Sequence, residues 1–191
     1  MTERKATEAR PRNAAATREA ILAAARVAFT RDGYDGAGVR EIAAAAGANQ
    51  ALVNRYFGSK EKLFTEAVAS AFSIVELLPD TQEGFAQAIA RYVLTKPKKQ
   101  NGEFDPTLAM LRSAGNADAA ELMKAGMDRD FVRPLAEWLG GEHAEQRAAM
   151  FVSVLAGLSV MRDVLRISAL QTDEDVLVNI LSALLAAALK P

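Results

Sequence analysis

The chain has 191 residues, half of them apolar and a quarter charged, with a formal net charge of −1. This balance is typical of a globular protein with one large domain, or with a small module joined to a larger one. It contains no cysteine, which excludes disulfides, thiolate metal sites and cysteine nucleophiles and fits a reducing cytoplasm.

Charge is distributed unevenly along the chain. Residues 1–62 hold 11 Lys and Arg against 7 Asp and Glu, whereas residues 63–191 hold 12 against 17. A basic N-terminal third on an acidic body is expected when only one end of a protein touches DNA.

The first third begins with two predicted elements. Residues 1–13 show no periodicity and predict a flexible arm, which either reaches DNA or is simply solvated. Apolar residues then recur at helical spacing, which predicts a helix over about residues 14–31. Gly33 lies just beyond its end, and Tyr34 is expected to fold back onto a small core.

Residues 39–60 have the spacing of a helix-turn-helix. The apolar pair Ile42 and Ala43 predicts a short first helix. Gly47 supplies the backbone freedom that the turn needs, because it has no Cβ to clash when φ is positive. Asn49 is suited to capping the second helix at its N-terminus.

The second helix of this motif is predicted over about residues 50–57. Leu52, Val53 and Tyr56 form its inward face, although Tyr56 also suits a phosphate contact. Its other face carries amide and guanidinium groups, which pair with base edges and phosphates in a major groove. The outward residues are Asn49, Gln50, Ala51, Asn54 and Arg55.

The remainder reads as helical throughout, with no β-type alternation. Ser59 is a good N-cap for a fourth helix, predicted to run as a rod of about 20 residues to Pro79. This rod connects the DNA-reading module to the body. Further helices are predicted over about residues 85–96, 105–114, 117–139 with a kink at Pro134, 142–170 and 174–189.

Two runs of 14 residues, 148–161 and 176–189, contain no charged residue. Both are shorter than the about 18–20 residues that span a bilayer, and the N-terminus lacks the apolar core of a secretion signal. Because a body this small cannot bury both helices, we expect them to face a second copy in a twofold four-helix interface. The expected interface residues are Phe151, Val154, Leu155, Leu158, Arg162, Val176, Ile180 and Leu184.

Aromatic and methionine residues of the body are candidates for lining a small-molecule cavity, because methionine suits adaptable apolar pockets. Arg112 has the charge to orient an acidic ligand. The alternative for most of these candidates is that they are ordinary core residues. The candidates are Phe85, Ile89, Tyr92, Met110, Arg112, Met123, Met127, Phe131, Trp138 and Phe151.

No spacing of catalytic or metal-binding residues stands out. His143 is the only histidine and is interpreted as a surface residue. The acids of residues 173–175 are explained by the dipole at the start of the last helix. We therefore expect no metal, no cofactor and no enzymatic activity, and a helical-bundle enzyme is the least favoured function.

Over about residues 14–68 the chain resembles the tetracycline-repressor (TetR-like) family of bacterial regulators. The residues that carry the resemblance are Ile21, Ala24, Ala25, Phe29, Gly33, Tyr34, Val39, Ile42, Ala43, Ala46, Gly47, Tyr56, Phe57, Ser59, Lys60 and Leu63. The resemblance implies a cytoplasmic homodimeric repressor, released from a palindromic operator when a small-molecule effector moves the fourth helix.

The resemblance also implies roles by position. The positions expected near bases are Gln50, Ala51 and Asn54, those at phosphates are Tyr56 and Lys60, and Arg55 serves either group. The family usually has Thr or Ser leading into its second helix, so a contact from Gly38 and Val39 here would come from backbone amides. An aromatic residue often stands at the position of Asn54, and the amide suggests more hydrogen-bonded base reading or a different operator.

The predicted fold is therefore all-α, with an N-terminal three-helix DNA-binding module and a C-terminal helical bundle that dimerises. The predicted division is an arm over 1–13, a DNA-binding domain over 14–62 and a ligand-binding and dimerisation domain over 63–191. One alternative stays open: a DNA-binding regulator of the same fold, controlled by a protein partner instead of a small molecule.

Overall fold

The computed structural model describes residues 9–69, 74–96 and 102–190, and within these ranges it contains helices and no strand. This confirms the all-α class. The ten α-helices of the described residues are α1 (Ala9–Gly36), α2 (Val39–Ala45), α3 (Gln50–Phe57), α4 (Lys60–Phe64), α5 (Phe85–Thr95), α6 (Pro106–Ser113), α7 (Ala117–Met127), α8 (Arg133–Leu139), α9 (Ala144–Ser159) and α10 (Glu174–Leu189). Every helix in these ranges is too short or too polar to cross a membrane.

Helix α1 is longer than the sequence predicts. It begins at Ala9, inside the segment predicted as an arm, and residues 1–8 of that arm lie outside the described residues. Near its C-terminal end the backbone leaves helical geometry at Gly33, with φ 67° and ψ −170°. Tyr34 then packs into the core, as predicted.

The rod predicted from Ser59 to Pro79 does not continue as an α-helix over residues 74–79. Ser59 does cap α4, accepting a hydrogen bond from the backbone N–H of Lys62 at 3.3 Å. After α4 the chain makes a π-helical turn over Thr65–Ala69, and residues 70–73 lie outside the described residues. At Ile74 the backbone N–H donates to the carbonyl of Asp130 at 3.1 Å, so a tertiary hydrogen bond replaces a helical one.

The helix predicted over residues 142–170 also ends early. Helix α9 passes into a π-helical turn, Val160–Val164, and Arg166 then has a φ of 54°, outside helical geometry. The chain folds back because Arg162 donates to the carbonyl of Leu170 at 3.2 Å. The side chain of Gln171 returns a bond to the carbonyl of Arg162 at 2.7 Å.

The remaining helix predictions are confirmed with small changes. The kink expected at Pro134 is a π-helical turn, Asp128–Val132, which separates α7 from α8. Asp105 caps α6 and Asp173 caps α10, each accepting from a backbone N–H three residues on.

The described residues form two compact units. The first contains α1 to α4, the π turn after α4, α6 and the part of α7 up to Met123; the second contains residues 74–96 and everything from Lys124 onward. Leu63 and Phe64 have no exposed area and belong to the first core, beyond the domain limit predicted at residue 62. The second core is built around Phe85, Leu135, Phe151 and Leu185, which are all fully buried or nearly so.

Helix α6 joins the first unit because polar groups at the end of α1 find their partners on it. The guanidinium of Arg112 donates to the carbonyls of Thr30 and Arg31 at 2.5 and 2.6 Å. The backbone N–H of Tyr34 donates to the hydroxyl of Ser113, which is buried, at 3.0 Å. Helix termini leave such backbone groups without helical partners, so these bonds tie α6 to the end of α1.

Candidate nucleic-acid interface

Helices α2 and α3 form the predicted helix-turn-helix. Ile42 and Ala43 are buried at the base of α2, and Gly47 adopts a φ of 64° in the turn. The side chain of Asn49 accepts from the backbone N–H of Leu52 at 3.0 Å and so caps α3. Local sequence chemistry therefore fixes both the turn and the start of α3.

The inward face of α3 differs from the prediction by one position. Val53 and Phe57 are buried, four residues apart on one side of the helix, while Leu52 and Tyr56 are only half-buried. Phe57 is covered by the guanidinium of Arg18, which lies 4.7 Å from the ring centroid. Tyr56 is therefore partly open to solvent, which leaves it free for the phosphate role that the resemblance implies.

The residues predicted to contact DNA gather around α3 and the start of α2 and α4. Five of them are exposed: Asn49, Gln50, Ala51, Asn54 and Arg55. The other four are half-buried, at the start of α2, the end of α3 and the start of α4: Gly38, Val39, Tyr56 and Lys60.

Arg40 is a candidate that the sequence reasoning missed. It is exposed in the first turn of α2, and its Nε donates to the Oε1 of Gln50 at 3.1 Å. This bond holds the amide of Gln50 so that its NH₂ group remains available as a donor. The signal in the sequence was an arginine at the start of the first motif helix, but its partner is apparent only when α2 and α3 are packed together.

Three side chains meet beside the start of α4, those of Tyr34, Lys60 and Glu61. The Tyr34 hydroxyl donates to Oε1 of Glu61 at 3.1 Å, and the Nζ of Lys60 lies 4.8 Å from the centroid of the Tyr34 ring. Burial, together with the bond to Glu61, raises the pKa of Tyr34 to about 12. Hydrogen bonding, first from Ser59, lowers the pKa of Glu61, so this carboxylate is charged at neutral pH.

The candidate ligand residues divide between the two units. Met110, Arg112 and Met123 lie in the first, where Arg112 is engaged with the carbonyls at the end of α1. In the second unit Met127 and Phe131 pack at the edge of the core, and Phe151 has no exposed area.

Three of the candidates in the second unit line one apolar groove. Phe85, Ile89 and Tyr92 lie along α5 and face a space of about 320 Å³. Trp138 packs on Phe85 with 4.7 Å between ring centroids, and its indole N–H donates to the carbonyl of Pro79 at 2.7 Å. The other residues that line the groove are Leu77, Pro79, Glu83, Gly84 and Ala88.

The predicted interface residues fall into three groups. Val176, Ile180 and Leu184 of α10 are about half exposed, at 49%, 55% and 54%. Val154, Leu155 and Leu158 of α9 are partly buried.

Phe151 and Arg162 are instead covered by their own chain. The Arg162 guanidinium donates to the carbonyls of Val93 and Leu94 at the end of α5, at 3.4 and 2.8 Å. Neither side chain has surface to offer a second copy, and both are left out of the interface proposed below.

Two family descriptions match the sequence. The description "Bacterial regulatory proteins, tetR family" matches residues 21–67, and "Tetracyclin repressor-like, C-terminal domain" matches residues 83–189. The chain is also 34% identical over 98 residues to the HTH-type transcriptional repressor NicS of Pseudomonas putida. That alignment covers 47% of this chain and 46% of the relative, so the chain spans about half the length of the curated relative it matches.

Solved structures of similar proteins cover nearly the whole chain. A TetR-family regulator from Streptomyces coelicolor A3 is 26% identical, with a TM-score of 0.60 over 98% of this chain and 99% of that one. Reduced NemR from E. coli is 19% identical, with a TM-score of 0.67 over 88% and 97%. NalD, the secondary repressor of the MexAB-OprM multidrug efflux pump in Pseudomonas aeruginosa, is 19% identical with a TM-score of 0.61 over 88% and 96%. The last two share the fold.

Proposed function

The chain belongs to the TetR family of bacterial regulatory proteins, and from this premise we propose that it is a homodimeric repressor released from a palindromic operator by a small molecule. The observation that carries the DNA-binding part is the exposed face of α3, where amides stand on a helix held in place by α2. A helix presented in this way fits the major groove of B-DNA.

In this proposal Gln50 and Asn54 read bases and Arg40 supports Gln50. The bond from Arg40 to Oε1 leaves the Gln50 NH₂ group to donate to a base acceptor such as guanine N7 or O6 or thymine O4. Asn54 lies four residues along α3, one turn from Gln50 on the same side, so the two amides reach neighbouring base pairs. Tyr56 and Lys60 contact phosphates, and the N–H groups at the start of α2 do the same.

Replacing either amide with alanine is expected to relax base preference without abolishing DNA binding. Each well-formed base contact contributes about 1–3 kcal/mol of discrimination, and phosphate contacts supply much of the remaining affinity. Selection of preferred sites from random DNA by Gln50→Ala and Asn54→Ala measures this. The control Gln146→Ala removes an exposed amide of the second unit; site preferences that match wild type in both α3 variants would exclude direct readout by these residues.

The proposed dimer uses α9 and α10. On α10 the exposed residues Val176, Ile180 and Leu184 recur every four positions, while Val178 and Leu181 on its other side are buried in the chain. On α9 Met150 is 59% exposed, and Met161, in the π-helical turn that follows α9, is 46% exposed. Large apolar side chains exposed in a row on adjacent helices suit a self-complementary twofold contact.

The proposed effector site is the groove along α5. Its volume of about 320 Å³ lies at the lower end of the range of small-molecule sites. Glu83 is the charged residue among those that line it, which favours a compact apolar ligand that is neutral or positively charged.

Filling this groove is expected to abolish the response to effector while preserving operator binding. Ala88 is exposed and lines the groove, so Ala88→Trp places an indole in the ligand's space without disturbing the core. Compounds that release operator DNA from wild type should lose at least about tenfold in potency against this variant, a change of about 1.4 kcal/mol. Potency is read from competition titrations of labelled operator.

Ala125→Trp provides the matched control, because Ala125 is an exposed helical alanine outside the groove. Equal potency against Ala88→Trp and wild type would place the effector elsewhere. If no small apolar compound releases the operator, control by a protein partner becomes the better proposal.

A further inference from the structure

The pairing of Lys60 with Tyr34 has a feature that other cations on aromatic rings in this unit lack. Three cations lie over aromatic rings in the described residues: Arg18 over Phe57, Arg26 over Phe104 and Lys60 over Tyr34.

Both arginines are also paired with carboxylates. Arg18 lies 2.6 Å from an oxygen of Glu66, and Arg26 lies 3.8 Å from one of Glu19. Within the described residues, no carboxylate oxygen lies within 4.0 Å of the Lys60 ammonium. The Lys60 ammonium therefore rests on a ring and feels the charge of the neighbouring Glu61 carboxylate, but it forms no close ion pair.

The ring beneath Lys60 is itself fixed. Tyr34 is 7% exposed and packs against Phe29 and Phe64, with centroid separations of 6.4 and 5.0 Å. Its hydroxyl is bound to Glu61, the residue that follows Lys60 in the first turn of α4. The same bond ties the Glu61 carboxylate to the hydroxyl of Tyr34.

We infer that Tyr34 is a positioning residue for DNA binding, which orients the Lys60 ammonium for a backbone phosphate. This inference rests on the proposed function. A lysine side chain loses much rotamer freedom when a phosphate fixes it, and a side chain that already rests on a ring loses less. The ring faces one side of the ammonium, so its N–H donors remain available to the phosphate.

The first test measures the pairing in the free protein. In spectra of ¹³C-labelled lysine, the ε-methylene protons of Lys60 should be shifted upfield by the ring current of Tyr34, with the signal assigned by its loss in Lys60→Arg. The shift should persist in Tyr34→Phe, which retains the ring, and disappear in Tyr34→Leu. An unshifted Lys60 signal in wild type overturns the inference before any DNA is added.

The second test is a double-mutant cycle on operator binding across a salt series. Lys60→Ala should reduce the dependence of the DNA-binding constant on salt concentration by the equivalent of about one phosphate contact. Tyr34→Leu should weaken binding about two- to fivefold when Lys60 is present, because a lysine that does not rest on a ring loses more rotamer freedom when a phosphate fixes it. It should have no further effect in the Lys60→Ala background. A purely structural role for Tyr34 predicts the same loss in both backgrounds, and tighter binding by Tyr34→Leu would show that the ring holds Lys60 away from DNA; either result overturns the inference.

Fluorinated phenylalanine at position 34 keeps the test decisive if Tyr34→Leu fails to fold. Ring fluorination weakens the attraction for a cation while retaining the shape of the side chain, so binding should weaken relative to Tyr34→Phe only when Lys60 is present. Equal operator affinity for the fluorinated and plain rings overturns the inference. Failure of the wild-type protein to bind any DNA sequence would instead refute the proposed function, and the lysine spectra distinguish the two failures.

Discussion

Replacing Gly33 with alanine is expected to destabilise the protein by about 3 kcal/mol or more, the sum of backbone strain and a steric overlap. Gly33 has φ 67° and ψ −170°, a combination that is essentially restricted to glycine and costs any other residue about 1–3 kcal/mol. The added Cβ would also lie 2.5 Å from the carbonyl oxygen of Arg112 and 2.8 Å from its carbonyl carbon. Because these are backbone atoms of α6, they cannot turn aside, and overpacking of this kind adds about 1–3 kcal/mol.

Gly47→Ala is the matched control for this change. Gly47 has a similar φ of 64°, but a Cβ built there would meet nothing within 4 Å. Its substitution therefore carries only the cost of the left-handed backbone, about 1–2 kcal/mol. Urea unfolding followed by circular dichroism measures both variants, and equal losses would show that the close approach of α6 is not what requires glycine at position 33.

The features that the sequence predicts well are those decided by neighbouring residues. Asn49 and Ser59 are each expected to cap a helix, and the side chain of each accepts a hydrogen bond from the backbone N–H three residues ahead. A cap depends on a side chain and a backbone donor a few positions apart, so the pattern along the chain contains the necessary information.

The features that cannot be predicted from the sequence depend on contacts between residues far apart in the chain. The glycine at position 33 was expected to end a helix, but the partner that requires it, Arg112, is 79 residues away. The fourth helix was predicted to run on to Pro79 because apolar spacing continues, yet Ile74 bonds to Asp130 instead. Local periodicity contains no record of such tertiary bonds, which override helix propensity where they form.

The candidate DNA-binding residues show the same division. The turn and the exposed amides of α3 follow from spacing, whereas the bond from Arg40 to Gln50 needs two packed helices. The sequence pattern does not show which of Tyr56 and Phe57 faces inward, because the two residues are adjacent and both are aromatic. A short helix of 8 residues gives too few turns for the pattern to separate them.

Ile180→Glu is expected to abolish dimerisation and, with it, tight operator binding. Ile180 is 55% exposed at the middle of the stripe on α10, so in the proposed dimer its side chain is buried against the partner. A carboxylate left unpaired there costs about 3 kcal/mol or more, and twofold symmetry introduces the change twice. The dimer should therefore weaken by at least about a thousandfold, which corresponds to about 4 kcal/mol.

Operator affinity should decrease together with dimerisation, because a monomer loses the effective concentration with which the second head reaches its half-site, often about a hundredfold or more. Sedimentation and operator titration measure the two quantities on the same samples, and circular dichroism checks that the variant retains its helices. Val27→Glu is the control, since Val27 is an exposed apolar residue of the first unit, at 39%, and lies on neither interface helix. A dimeric Ile180→Glu protein with wild-type operator affinity would exclude α10 from the interface, whereas a monomer that still binds operator tightly would separate dimerisation from DNA reading.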